Sequence, residues 1–179
     1  DGVLYALARE ADGSMRDAQS LLEQVLAFSG DDLSGEEILD ILGIVDRESV
    51  NRVVAAVLEG NARVCLEVVA DLYRRGIDCR RFCKQLCDCF RNLLVLATGG
   101  SSLEALLDLP EDEIQLLKEA LGKTSAESLH LIFQLVLKAE EEIRRSSLPR
   151  TTLEMLLLRL TQLPRLESLE EILARLNLM

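Results

Sequence analysis

The sequence predicts an all-α protein: a small three-helix segment followed by a larger helical domain. Three observations carry this. Apolar residues make up 49% of the chain but aromatics only 3%, with no Trp, and Leu carries the apolar load. That composition favours helices over packed strands, which want β-branched and aromatic residues. Apolar residues recur with helical period along almost the whole chain. Capping residues and glycines punctuate that period at the spacing of helix starts and stops.

The elements follow in order. Leu4, Leu7, Ala8 and Ala11 form the face of a short first helix. Asp12, Gly13 and Ser14 start the second, Ser14-x-x-Asp17 completing a capping box, with Ala18, Leu21, Leu22, Val25 and Leu26 as its apolar stripe. Ser34-x-x-Glu37 opens a third helix through Ile38, Ile41 and Leu42, which Gly43 ends. "GIVDRESV" marks the boundary, with a hinge near Gly43 to Asp46. Asp46 caps a helix with Val50, Val53, Val54 and Val57. Asn61 caps the next, through Leu72 to a stop at Gly76. Asp78 starts a long helix to Leu96, broken by "TGGSS". A short helix over residues 102–109 precedes Pro110, and another carries Ile114, Leu117 and Leu121. A long helix capped by Thr124-x-x-Glu127 carries Leu129, Ile132, Phe133, Val136 and Ile143. "SSLPR" separates it from a helix over residues 151–163, closed by Pro164. Ser168-x-x-Glu171 opens a last amphipathic helix with Leu169, Ile172, Leu173 and Leu176. The domain limits read as 1–45, 46–165 and 166–179, the last a C-terminal helix or the start of a linker.

With 20 Lys+Arg against 31 Asp+Glu the net charge is −11. So acidic a chain is not expected to bind a nucleic-acid backbone directly. No apolar run is long enough to span a bilayer. The chain opens on Asp1-Gly2 with its periodicity already running by Val3, which reads as a piece of a longer protein. Five cysteines, an odd number with no secretory signal, suit reduced thiols in the cytoplasm. Cys79, Cys83 and Cys87 share one helix face at i, i+4, i+8. Three thiols with no C-x-x-C pair and no nearby His lack zinc spacing, so they read as small core residues and no metal is expected.

Catalytic constellations are missing from these 179 residues. There is no G-x-x-x-x-G-K-[ST] phosphate loop and no G-x-G-x-x-G. His130, the one histidine, lies inside the apolar pattern "ESLHLIFQLVLKAEEEI" and reads as a packing or surface residue. "PEDE" and "AEEEI" are solvated acidic faces. Arg74-Arg75, Arg80-Arg81 and Arg144-Arg145 are candidate contacts to an acidic neighbour, weighed against ordinary ion-paired surface charge. Arg16 is different. It falls in the first turn of its helix, where the dipole disfavours a cation by a few tenths of a kcal/mol, roughly. It is either a surface charge offset by Asp12 and Asp17, or a sensor for an anion brought from elsewhere.

The stretch "AREADGSMRDAQSLLEQVLAFSG" resembles the sensor 2 region of the tau/gamma family of bacterial DNA polymerase III, clamp-loader ATPases of the AAA+ class. The shared residues are Ala11, Gly13, Ser14, Arg16, Asp17, Ala18, Ser20, Leu21, Leu22 and Gln24, with a departure at Glu23. "ILGIVDRESV" is similar to the family's join between lid and third domain, and "LPRTTLEMLLLRL" to its final collar helix. The resemblance spans about residues 3–163. It implies that residues 1–45 are the C-terminal part of the ATPase lid and 46–165 a helical collar that joins subunits. It implies that Arg16 is the sensor 2 arginine, reaching the γ-phosphate of ATP. ATP with Mg and the zinc module would belong to an upstream domain of the full-length protein, leaving this piece inactive alone and without a cofactor. Implied partners are the other loader subunits through the collar, and the sliding clamp and primed DNA through the assembly, with no membrane. The competing reading is a free-standing helical adaptor with no nucleotide role.

Overall fold

In the computed structural model, residues 4, 7, 8, 10, 11, 13–28, 38, 45–107, 109–122 and 124–163 are described. Within them there are seven α-helices, one 3-10 helix and no strand. They are α1 (Met15–Phe28), α2 (Arg47–Glu59), α3 (Ala62–Arg74), α4 (Cys79–Gly99), α5 (Glu111–Leu121), α6 (Ala126–Arg145) and α7 (Pro149–Thr161), with the 3-10 helix over Gly100–Leu106. The all-α expectation is met. The third helix of the first segment and the helix opened by Ser168 fall outside the described residues, apart from Ile38, which is helical. So do Gly43 and Ile44 of the expected hinge.

Local chemistry sets the helix starts. Asp46 accepts the Ser49 N–H at 2.7 Å, Asn61 that of Val64 at 3.2 Å, and Asp78 that of Arg80 at 2.8 Å. Each bond satisfies one of the donors that a helix start leaves without a partner. Gly60 ends α2 at φ 75°, a left-handed conformation that costs a glycine nothing. Several boundaries differ from the sequence reading: α4 runs on to Gly99 rather than stopping at Leu96, and α7 spans Pro149–Thr161 rather than 151–163. Ser125, not Thr124, caps α6, its Oγ accepting the Ser128 N–H at 3.2 Å. The element after "TGGSS" starts at Gly100 and winds as a 3-10 helix, because Gly100 sits at φ 53° and redirects the chain.

One core runs from Val45 to Leu160 through α2–α7. α4 is its axis, with Phe82, Cys83, Leu86, Phe90 and Leu93 fully buried. It packs most extensively on α6 and also touches α2, α5 and α7. α7 lies against α3 and α6 through Leu153, Leu156, Leu157 and Leu160. The ion pairs Arg47–Glu113 and Lys118–Glu104 tie α5 to α2 and to the 3-10 helix.

Asp46 does two jobs. It caps α2, and its Oδ2 accepts from the Ser49 hydroxyl at 2.9 Å and from Arg75 Nη1 at 2.8 Å, at the far end of α3. Burial pushes its carboxyl up, but the Ser49 N–H and the Arg75 guanidinium outweigh this and hold it below the usual 3.8. A depressed carboxylate pKa stabilises the fold above the unfolded value, so Asp46's share is full above pH 3.8 and fades as pH falls from there through the lower folded value. Asp46→Ala is expected to cost about 1–2 kcal/mol at neutral pH. Urea titrations at pH 7 and pH 3 check this: the difference from the parent should shrink in acid, and an unchanged difference would contradict the linkage.

Candidate functional site

Arg16 is built by the turn ahead of it. The Ala11 N–H donates to the Leu7 carbonyl at 3.0 Å, ending a first helical stretch whose Leu7 and Ala11 are buried. Gly13 at φ 80° then reverses the chain. The Ser14 N–H closes the turn on the Ala11 carbonyl at 2.8 Å, and its carbonyl takes the Ala18 N–H at 3.0 Å. Ser14 Oγ accepts the Asp17 N–H at 3.3 Å, the forward half of the expected capping box. Arg16 is therefore the second residue of α1, and it is exposed along with Met15 and Asp17. It sits in the first turn of the helix, at its positive end. That combination suits an incoming anion of high charge density, but one guanidinium does not make a complete phosphate site.

The other flagged residues resolve differently. Cys65, Cys79 and Cys83 are buried, and Cys87 and Cys89 half-buried; none of the five is in a disulfide. Burial pushes Cys65 up to about 11 and Cys83 up to about 12, and it raises Cys79 and Cys87. Neutral thiols so far from ionisation are poor nucleophiles and poor metal ligands at neutral pH. Cys79, Cys83, Cys87 and Cys89 on α4 and Cys65 on α3 pack as small apolar residues in or against the one core. His130 is exposed on α6, 2.9 Å from Gln134.

The structure gathers the arginine pairs at one end of the bundle, where α3 and α6 end and α4 and α7 begin. Acidic residues are interleaved there. Arg74 meets Asp71 at 3.1 Å, Arg75 meets Asp46, Arg81 meets Glu10 at 3.4 Å, and Arg145 meets Glu141 at 2.5 Å. These are ion-paired surface charges, individually weak where exposed.

Sequence reasoning missed one feature at this end. Arg150 stacks over the Tyr73 ring at 4.6 Å, and close by Leu148, Met155 and Tyr73 itself are exposed. A helix read only as apolar does not disclose which of its faces is left outside.

A crevice between α2, α6 and α7 has a volume of about 110 Å³. Small-molecule sites run to roughly 300–1,000 Å³.

Comparison with known proteins adds the following. The family model described as DNA polymerase III subunits gamma and tau domain III matches residues 33–176. The model described as DNA polymerase III clamp loader subunit, ATPase lid domain, matches residues 1–31. The chain is 28% identical over 162 residues to DNA polymerase III subunit tau of Bacillus subtilis (strain 168), covering 90% of this chain and 28% of the relative. It is 29% identical over 162 residues to DNA polymerase III subunit gamma/tau of Mycobacterium tuberculosis (strain ATCC 25618 / H37Rv), covering 89% and 28%. To DNA polymerase III subunit tau of Escherichia coli (strain K12) it is 25% identical over 156 residues, covering 87% and 24%. The chain thus spans about a quarter of the length of these curated relatives.

Proposed function

Since the chain belongs to the family of DNA polymerase III subunits gamma and tau domain III, we propose that it is the end of the ATPase lid and the collar of a clamp-loader subunit. In this reading residues 46–165 assemble the loader with its other subunits, and the lid couples ATP binding to placing a sliding clamp on primed DNA in the cytoplasm. Arg16 is the lid's contact to nucleotide. The observation that carries the reading is the exposed Arg16 at the start of α1, within the stretch matched by the lid-domain model.

ATP, when bound, supplies a γ-phosphate of high negative charge held with Mg by parts of the protein outside this chain. This chain's residues do the rest. Ser14 fixes the start of α1 and so the position from which Arg16 reaches out. The guanidinium offers planar donors that suit phosphate oxygens. A charge met only in the nucleotide-bound state stabilises that state over the empty one, which is what coupling requires.

The test is Arg16→Ala in the full-length subunit. An exposed first-turn arginine contributes almost nothing to stability, so the melting temperature and loader assembly are expected to stay unchanged. ATP-driven clamp loading is expected to fall by at least about tenfold, since arginines on a transferring phosphate carry large effects. A mutant loader working at the normal rate would reduce Arg16 to a surface charge.

A further inference from the structure

Glu10 and Arg81 are each placed against the local helix field. Glu10 is the last helical residue of the stretch ahead of Gly13, at the end where the dipole disfavours an anion. Arg81 lies in the first turn of α4, where a cation is disfavoured and no acidic residue offsets it. Neither charge helps its own helix. The structure sets them against each other, with Arg81 Nη2 3.4 Å from Glu10 Oε1. Glu10 belongs to the stretch matched by the lid-domain model and Arg81 to that matched by the domain III model. Among the described residues α1 packs extensively on none of α2–α7, so a side-chain bridge between the two segments has an outsized say in how the first one stands.

Glu10 is also firmly connected to Arg16. Leu7, Glu10 and Ala11 lie at i, i+3 and i+4 on one face of their stretch, and Leu7 and Ala11 on that face are buried. From there hydrogen bonds run on to α1. The Ala11 N–H donates to the Leu7 carbonyl at 3.0 Å, the Ser14 N–H to the Ala11 carbonyl at 2.8 Å, and the Asp17 N–H to Ser14 Oγ at 3.3 Å. A group that holds Glu10 therefore holds the turn from which Arg16 extends. We propose that Arg81 is a positioning residue for Arg16: its ion pair with Glu10 sets the stance of the Arg16-bearing segment on the bundle. The inference rests on reading Arg16 as the lid's contact to nucleotide. Arg81 acts through Glu10 and touches no nucleotide itself. The two side chains are 46% and 26% exposed. A pair so exposed shifts a two-state population by no more than about fivefold. It biases the stance without locking it, so that a phosphate meeting Arg16 can override the bias.

A distance measurement tests the grip, and clamp loading tests its purpose. In the 179-residue chain, ketone-bearing amino acids replace Gln19 on α1 and Thr151 on α7, both exposed, and are coupled to nitroxides so that the cysteines stay unlabelled. Pulsed electron resonance then gives the distance distribution, with one main peak expected for the parent. Glu10→Arg and Arg81→Glu each introduce a charge that its own helix dipole favours, so neither weakens its helix. Each is expected to lower the weight of the main peak against the rest by about two- to fivefold. The swap E10R/R81E is expected to return it to within about twofold of the parent. In the full-length subunit, with an unchanged melting temperature, ATP-driven loading is expected to fall about two- to fivefold in each single variant and to recover in the swap. A peak that ignores both single variants, or a swap that restores nothing, overturns the proposal. Normal loading by Arg16→Ala removes the nucleotide reading and the positioning role with it. Impaired loading by Arg16→Ala beside normal loading in both Glu10→Arg and Arg81→Glu overturns this proposal alone.

Discussion

Phe82→Ala is expected to cost about 3–5 kcal/mol, the range for emptying a buried aromatic site that cannot collapse. Phe82 is fully buried on the first full turn of α4, the helix that meets α2, α5, α6 and α7. Deleting its ring leaves a void lined by several helices, none of which can close it without moving against the others. Domains of this kind hold roughly 5–15 kcal/mol in total, so the variant should sit near the edge of folding. Leu137→Ala is the control. Leu137 lies on α6, α4's main partner, but is 52% exposed, and its loss is expected to cost under about 1 kcal/mol. Urea unfolding with matched slopes measures both. Equal costs would remove α4 from the centre of the bundle.

Alkaline pH is expected to destabilise the fold through its buried thiols. Cys83 is pushed up to about 12 and Cys65 to about 11 by burial, from an ordinary 9.0. The folded pKa is raised, so the folded state holds its proton while the unfolded chain has already released it. The contribution is therefore intact below pH 9 and lost progressively between pH 9 and the folded values. At about 1.4 kcal/mol per unit, Cys83 alone accounts for a loss of about 2 kcal/mol by pH 10.5. Lysines and tyrosines titrate in the same range, so the informative quantity is a difference between variants. Cys83→Ala costs some stability at pH 8 by leaving a small void, but its further loss on going to pH 10.5 should be about 2 kcal/mol smaller than the parent's. Identical losses in the two proteins would mean that Cys83 is not held away from solvent.

Most of the helical order was legible because the caps are local chemistry. Asp46, Asn61 and Asp78 each act on an N–H two or three residues ahead, and nothing distant is needed to see it. The α6 cap slipped by one residue because Thr124 and Ser125 are both capping types. Ser125 prevails with Ser128 ahead of it, whose hydroxyl it also meets at 3.1 Å. The 3-10 winding after Gly99 depends on the backbone angle at Gly100, which period cannot report. Arg16 stood out in the sequence because its charge opposes the helix end that holds it. The outer face of α7 did not, because residues 148–160 are apolar at nearly every turn. Which side faces out is decided by α3 and α6 packing against it, and that is tertiary information.

The clasp between Asp46 and Arg75 has a mechanical consequence. Val45 is buried in the core and Asp46 is tied to the opposite end of α3, so the bundle's first two described residues are fastened to it at separate places. A pull on the backbone ahead of Val45 cannot fray α2 turn by turn. It must also load the Asp46–Arg75 clasp, which passes the strain on to the end of α3. A lever joined at that point would lose little of its stroke to stretching of its own mount.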